Sequence, residues 1–181
     1  MSETKYFPTT EDIEKAAAVL SEILEPTPFH KNNNLSDLYE ADVYLKREDL
    51  QIVRSYKIRG AYNKIRPIEP ETLKYGIVCA SAGNHAQGVA FSCNKLQIMG
   101  SIFMPTTTPK QKIEQVRMFG KEYIDIVLTG DTFDAANSAA IEFAKKSGRT
   151  FIPPFDDPKV MEGQGTIGRE ILAQAPEKLD Y

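Results

Sequence analysis

The chain has 181 residues, 41% of them hydrophobic and 26% charged, so it can bury the core of about one domain. Its net charge of -3 at pH 7 argues against a protein that binds the phosphate backbone of nucleic acids. No stretch approaches the roughly 20 apolar residues of a membrane span, and the first residues lack the hydrophobic region of a signal peptide. The composition therefore predicts a cytoplasmic protein that binds neither nucleic acid nor membrane.

Two cysteines and two histidines limit the metal chemistry of the chain. Cys79 lies in an apolar run and Cys93 on the apolar side of a predicted helix, so we expect both thiols to be buried and reduced. The cysteines form no Cys-x-x-Cys pair and the histidines are few. The sequence therefore predicts no zinc or iron site.

The first predicted elements are two helices and a strand. Apolar residues at helical spacing predict a helix over residues 11–25, which Pro26 ends. Alternating apolar and polar residues predict a short strand over 42–47. Helical spacing returns over 55–66, and Pro67 ends this second helix.

Strands and helices alternate along the rest of the chain. The predicted strands cover residues 77–80, 98–104, 123–128 and 150–152. The predicted helices cover residues 85–96, 109–120, 131–148 and 163–175. This alternation predicts an α/β fold with a parallel sheet that helices cover on both faces. Ligands of such folds bind beyond the carboxyl ends of the strands.

Two connections carry their own signals. Thr108 is predicted to cap the helix over residues 109–120 in a capping box with Gln111, and Pro109 is expected at the first helical position. The segment 153–158, Pro-Pro-Phe-Asp-Asp-Pro, predicts a rigid, turn-rich connection between two parts of the fold.

Lys57 is the first candidate catalytic residue. Ser55 is predicted to cap the helix, which places Lys57 in its first turn. The positive end of the helix dipole disfavours a charged ammonium there, and Arg54 and Arg59 would act in the same direction if they lie close to it in space. A neutral lysine amine is a nucleophile. The alternative is that Lys57 is one of many solvated surface lysines.

Residues 81–88, Ser-Ala-Gly-Asn-His-Ala-Gln-Gly, form the second candidate, a turn between a strand and a helix. Small residues let backbone N–H groups approach an anion, which the dipole of the following helix also favours. Asn84 adds a polar amide. His85 has the chemistry of a general base, but we favour a structural role at the helix start. The alternative is an ordinary strand-to-helix turn.

Residues 46–49, Lys-Arg-Glu-Asp, form a mixed charge cluster at the end of the predicted strand. We expect Arg47 to be solvated. Glu48 is a candidate to brace the segment of Lys57 through a charged hydrogen bond.

Six motifs together resemble the serine/threonine dehydratase family of pyridoxal-phosphate enzymes, and in particular its biosynthetic threonine dehydratase branch. They are residues 44–51, 54–61, 80–88, 128–133, 153–158 and 163–166. The similarity runs over nearly the whole chain. The resemblance implies the tryptophan-synthase-β-like fold, fold type II of pyridoxal-phosphate proteins, with a parallel sheet and helices on both faces.

The resemblance also implies a division of the chain. Residues 1–75 would be the N-terminal part of the large domain that carries the cofactor-binding lysine, residues 76–152 the small α/β domain, and residues 153–181 the return into a truncated large domain. The phosphate-binding glycine run of the family would follow Tyr181. We therefore expect little or no dehydratase activity from this chain alone.

The roles of the site residues follow from the resemblance. Lys57 would hold pyridoxal phosphate through its amine and later take the α-proton of the substrate. Tyr56, at a position that is usually Phe, would lie near the cofactor ring, and Asn84 would bind the 3-hydroxyl of that ring. The substrate carboxylate would be bound by Ser81, Ala82, Gly83, Asn84 and His85.

The implied reaction is the dehydration and deamination of L-threonine, or of L-serine, by β-elimination. With L-threonine it gives 2-oxobutanoate and ammonia, the first step of isoleucine biosynthesis, and full-length members would be homo-oligomers. Ala82 stands where the serine racemases of the family carry a second serine, which favours elimination over racemisation. The alternatives are a related serine dehydratase or racemase, a non-catalytic α/β module that uses the turn at 81–88, and an inactive remnant.

Overall fold

The computed structural model describes residues 6–176 and 178–180. Its first part contains four helices and a strand pair. They are α1 (Thr10–Leu20), β1 (Phe29–Lys31), α2 (Asn33–Tyr39), β2 (Tyr44–Lys46), α3 (Lys57–Ile65) and α4 (Pro70–Leu73). Strands β1 and β2 pair antiparallel, and a 3-10 turn, Glu48–Leu50, follows β2. The sequence did not predict β1, α2 or α4, because elements this short carry little periodicity.

The second part alternates strands with helices. Its elements are β3 (Ile77–Ala80), α5 (Asn84–Leu96), β4 (Gly100–Met104), α6 (Lys110–Gly120), β5 (Ile124–Leu128), α7 (Phe133–Ser147), β6 (Thr150–Phe151) and α8 (Pro158–Gln174). The four strands form one parallel sheet in the order β5-β4-β3-β6. The predicted α/β fold with a parallel sheet is confirmed.

Helices cover both faces of this sheet, because alternate residues of its buried central strands point to opposite sides. On one face Cys79 and Ile102 pack into a core that includes residues of α5 and α6. On the other face Val78 and Phe103 pack against Ala140 of α7. The prediction of helices on both faces is confirmed.

Both cysteines are buried and free, as predicted. Burial raises the pKa of Cys79 well above its usual range and raises the pKa of Cys93 to about 12. Both groups are therefore neutral thiols at physiological pH, packed as small apolar side chains.

Two predicted helices have different bounds in the structure. Helix α1 ends at Leu20 and not at residue 25, because the chain tightens into a turn in which the N–H groups of residues 22 and 23 donate to carbonyls only three positions earlier. Helix α8 begins at Pro158 and not at residue 163, because the Asp157 carboxylate caps it by accepting from two backbone N–H groups.

The predicted capping box at α6 is wrong. The backbone of Pro109 is not helical, so the helix begins one residue later, at Lys110, and no side chain caps it. Thr108 therefore lies before the cap position, and its buried hydroxyl has no hydrogen-bond partner among the described residues.

Helix α3 lies between α5 and α8, and two glycines allow the close approach. A Cβ atom on Gly88 of α5 would lie 3.1 Å from the carbonyl oxygen of Lys57 and from the backbone of Ile58. A Cβ atom on Gly163 of α8 would lie 2.6 Å from the carbonyl oxygen of Arg59. The start of α3 is therefore in backbone contact with both neighbouring helices.

Candidate active site

Lys57 is the first residue of α3, in the first helical turn as predicted. The predicted cap is wrong by one residue: Tyr56 is the N-cap, and no side chain makes a capping hydrogen bond. Ser55 instead accepts a hydrogen bond from the backbone N–H of Lys57 at 3.3 Å. The half-buried Lys57 amine donates to the carbonyl oxygen of Pro154 at 2.8 Å.

Tyr56 lies beside this amine. The Lys57 nitrogen is 5.3 Å from the centroid of the Tyr56 ring, and the Tyr56 side chain is 40% exposed. Two of the three residues expected to bind the cofactor are thus adjacent in space as well as in sequence, and the tyrosine is exposed to solvent.

The turn after β3 joins that strand to α5, which begins at Asn84. Ser81 is half-buried, and its hydroxyl oxygen accepts from the N–H of Gly83 at 3.1 Å. A Cβ atom on Gly83 would meet no atom within 4 Å, so the turn faces open space. The first N–H groups of a helix have no partner inside it, and with the helix dipole they are donors for an anion.

His85 is buried and makes one hydrogen bond with its ring. Its Nε2 lies 3.1 Å from the carbonyl oxygen of Ile152, while Nδ1 has no partner among the described residues. Burial, with a smaller contribution from the charge of Lys57, lowers the pKa of His85 to about 4. The ring is therefore neutral at pH 7, and its side chain anchors the helix start on the segment after β6.

The segment that follows β6 brings the two candidates together. Strand β6 is the parallel neighbour of β3, so both chains leave the sheet at the same edge. The carbonyl of Ile152 contacts His85 of the turn, and the carbonyl of Pro154 accepts from Lys57. The predicted lysine and the predicted turn thus meet at the carboxyl edge of the sheet.

The two arginines expected beside Lys57 lie differently. Arg54 is exposed, with a φ of 56° that is uncommon for a residue with a side chain. Arg59 is buried, and its guanidinium binds the carboxylates of Glu48 and Glu170. The charge of Arg59 is therefore met by two carboxylates, so the structure gives no support to the expected effect of Arg59 on the Lys57 ammonium.

The predicted brace by Glu48 is confirmed through this contact with Arg59, at 2.7 and 2.8 Å. Arg47 pairs with Asp49 in a bidentate contact at the surface, in agreement with the solvated position expected for it.

Sequence reasoning missed the partners that α8 supplies. Thr166 and Glu170 both bind Arg59, and they lie four positions apart, on one face of a helix. This spacing was the available signal, together with an arginine beside the apolar face of α3. The carbonyl of Pro154 left no signal, because a backbone acceptor does not depend on residue type.

The donor set of the site suits an aldehyde that carries an anionic group. The Lys57 amine donates to a backbone carbonyl and not to a carboxylate, so it is not held in an ion pair. Open space lies at Gly83, beside the N–H donors at the start of α5.

Within residues 6–176 and 178–180 no cluster of three or more His, Cys, Asp or Glu residues fits a metal ion. Across the same residues no helix is long and apolar enough to cross a membrane.

A lysine amine beside a turn with N–H donors, at the carboxyl edge of a parallel sheet, is an arrangement that suits α/β proteins that attach a carbonyl cofactor to a lysine. Residues 20–181 match the family model described as pyridoxal-phosphate dependent enzyme. The chain belongs to that family, and its structural neighbours show fold type II.

Three similar proteins illustrate this. The biosynthetic L-threonine dehydratase IlvA of Halalkalibacterium halodurans is 56% identical over 171 residues, which cover 94% of this chain and 41% of that protein. The processed threonine deaminase isoform 2 of Solanum lycopersicum superposes with a TM-score of 0.84 at 42% identity, over 93% of this chain and 50% of that one. Maize serine racemase superposes with a TM-score of 0.89 at 27% identity, over 95% and 51%. The chain thus spans about half or less of the length of these relatives.

Proposed function

We propose that this chain carries the lysine side of the active site of a threonine dehydratase. The reaction is the conversion of L-threonine to 2-oxobutanoate and ammonia, the first step of isoleucine biosynthesis, with L-serine as a second substrate. The observation that carries the proposal is the Lys57 amine, which meets the segment after β6 beside the open turn at 81–85. The 56% identity to a biosynthetic L-threonine dehydratase supports this choice of substrate.

Pyridoxal phosphate, when bound, supplies the electron sink that lets an amino acid lose its α-proton. In this chain Lys57 would hold it covalently, with the Tyr56 ring at the side of the amine. Asn84 is exposed at the first position of α5, where its amide can bind the ring hydroxyl.

Lys57 also has the position of the proton acceptor. Once its amine is free, the Pro154 carbonyl at 2.8 Å holds it at the edge of the site by accepting a hydrogen bond. This contact uses one N–H of the amine and not its nitrogen lone pair, which is the group that would take the α-proton of the substrate.

The turn after β3 is the proposed carboxylate site, formed by Ser81, Ala82, Gly83, Asn84 and His85. The Ser81 oxygen accepts from Gly83, so its own hydrogen is free to donate to a ligand. The neutral His85 ring adds no charge beside the carboxylate. The binding groups are therefore backbone N–H donors and one hydroxyl.

Racemisation is the second candidate, because maize serine racemase is a structural neighbour. Racemisation needs a proton donor on the face of the substrate opposite to the lysine. Ala82, which is half-buried in the turn, has no group that can carry a proton. This absence at position 82 favours elimination.

The domain division also remains part of the proposal: residues 1–75 and 153–181 as parts of a large domain, and residues 76–152 as the small domain. The parallel sheet spans residues 77–151, while the antiparallel pair of β1 and β2 is separate from it, which supports this division. We further propose a cytoplasmic homo-oligomer for the complete protein.

The test is to trap the lysine that pyridoxal phosphate modifies. The chain is incubated with the cofactor, reduced with borohydride and mapped by peptide mass spectrometry. We expect one dominant adduct at Lys57, absent from Lys57→Ala and unchanged in the matched control Lys145→Ala, whose lysine is exposed on α7. Labelling spread evenly over the surface lysines would reject the proposal.

A second arm addresses the substrate. An amino acid that occupies the site displaces Lys57 from the cofactor, so it lowers the trapped adduct when added before borohydride. We expect L-threonine and L-serine to lower it and D-threonine to leave it unchanged. The readout is release of Lys57 and not turnover, so it does not depend on the parts of the relatives that this chain does not span. Equal effects of the two threonine enantiomers would contradict a substrate site at the turn.

A further inference from the structure

The first turn of α3 carries Lys57 and has one side-chain acceptor, the Ser55 hydroxyl at 3.3 Å from the Lys57 backbone nitrogen. The side chain of its N-cap, Tyr56, makes no capping hydrogen bond. The first N–H groups of a helix have no partner within it, and the dipole disfavours cations such as Lys57 and Arg59 in this turn. A turn of this kind frays unless tertiary contacts hold it.

The Arg59 guanidinium supplies such contacts with all its donors. It gives two hydrogen bonds to Glu48 at 2.8 and 2.7 Å, two to Glu170 at 2.6 and 3.0 Å, and one to the Thr166 hydroxyl at 3.0 Å. A guanidinium has five N–H donors, so none is left unpaired. The arginine is 1% exposed, which makes the group as buried as the apolar core.

These acceptors belong to separate parts of the fold. Glu48 lies in the 3-10 turn after β2, while Thr166 and Glu170 lie on α8. Lys46 joins the cluster with its amine 2.6 Å from Glu170. Burial alone would raise the pKa of Glu170, but hydrogen bonds from Arg59 and Lys46 outweigh it and hold the pKa below its usual value. The cluster therefore contains two cations and two carboxylates.

We propose that Arg59 is a positioning residue for Lys57: it fixes the first turn of α3 to Glu48 and to α8, and so keeps the Lys57 amine at the turn after β3. The inference rests on the proposed function. Residues two positions apart on a helix point to different sides, so Arg59 acts through the backbone and does not touch the reacting atoms.

The test compares two side-chain contacts between α3 and α8. Arg59→Lys keeps the charge but loses the planar fork that binds two carboxylates. The matched control is Asn63→Ala, because the buried Asn63 amide also joins the helices, donating to the carbonyl of Lys159 at 2.7 Å, but at the far end of α3. The readout is the initial rate of trapped cofactor adduct at Lys57 divided by the rate at the exposed Lys145 in the same sample. Urea unfolding reports stability in parallel.

We expect Arg59→Lys to lower this ratio on the order of tenfold to a hundredfold, because displacing a reactive group by about 1 Å has effects of that size. Asn63→Ala should lower the urea midpoint and leave the ratio unchanged. If Arg59 acted only through overall stability, Asn63→Ala would lower the ratio as well. An unchanged ratio in Arg59→Lys, or equal losses in the two variants, would overturn the inference.

A milder variant keeps the inference testable if Arg59→Lys does not fold. Thr166→Val removes one acceptor of Arg59 and keeps the shape of the side chain, so we expect a smaller fall in the ratio, and no fall would overturn the inference. A ratio near one in the unsubstituted chain would reject the proposed function and the inference with it. A high ratio that Arg59→Lys leaves unchanged rejects the inference alone.

Discussion

The two cationic residues in the first turn of α3 have opposite surroundings. Arg59 is buried among carboxylates and a hydroxyl that accept from every donor it has. Lys57 is half-buried, donates to one backbone carbonyl and faces a turn with open space beside it. The same turn of helix thus has one saturated side and one open side.

This difference explains how a reactive amine can be held in one position and still be available for reaction. A lysine that made its own ion pair would be held in position, but its amine would be bound to the carboxylate and not available for reaction. Here the neighbouring Arg59 makes the ion pairs with Glu48 and Glu170, and Lys57 shares the position that those contacts define.

The largest expected effect comes from breaking the saturated side. Arg59→Met leaves Glu170 with the Lys46 amine and Glu48 with the Thr27 hydroxyl, so the two largely buried carboxylates lose the cation that they share. Removing one partner of a buried ion pair costs about 3–5 kcal/mol. Urea unfolding at pH 7 measures this loss of unfolding free energy. A loss below about 1 kcal/mol, which is the range of surface ion pairs, would show that water replaces the contacts that Arg59 makes with the carboxylates.

The buried His85, at the start of α5, should make the stability of the chain respond to acid. The pKa of His85 is lowered by burial to about 4 in the folded chain and lies near 6.5 when unfolded. The unfolded state then binds more protons between these values, so stability falls as the pH drops from 6.5 to 4, by about 3 kcal/mol from this group. Urea unfolding at several pH values measures the slope.

The control for this pH effect is His85→Gln, which removes the titrating group and should flatten the slope above pH 5. Glu170 does not account for that region, because the pKa of this carboxyl is held below its usual value and its contribution is lost only at lower pH. An equal slope in His85→Gln would assign the acid sensitivity to other groups.

A smaller effect is expected where α8 contacts the saturated side. A Cβ atom on Gly163 would lie 2.6 Å from the Arg59 carbonyl, so Gly163→Ala must displace backbone and should cost about 1–3 kcal/mol in spite of the better helix propensity of alanine. Gly168→Ala, on the same helix with nothing within 4 Å, should instead gain up to about 1 kcal/mol. Thermal unfolding of both variants compares them, and losses of similar size would contradict the contact.

The smallest effect is expected at an exposed counterpart of the buried cluster. Lys15 pairs with Glu11 on α1 at 2.7 Å, with both side chains largely exposed. Such pairs contribute little, because water and salt screen them. Lys15→Ala should leave the urea midpoint unchanged, and a shift comparable with that of Arg59→Met would remove the distinction between buried and surface ion pairs.

The sequence predicted the parallel sheet and the position of both candidates because their signals are local. Strand and helix periods mark residues 77–151, and Lys57 and the turn at 81–85 lie at element starts. Glu170 follows Arg59 by 111 positions, so only the folded chain brings the two together. The failed capping box at Thr108 shows a similar limit, since the backbone of Pro109 decides where α6 begins.

Hydrogen exchange of the backbone amides, followed by mass spectrometry with and without pyridoxal phosphate, tests directly whether one side of this helix turn is fixed and the other open. We expect slow exchange at residues 58–60 in both samples. We expect fast exchange at 82–86 in the chain alone, slowed when the cofactor is present. Fast exchange at 58–60, or no slowing at 82–86 by the cofactor, would contradict this difference between the two sides.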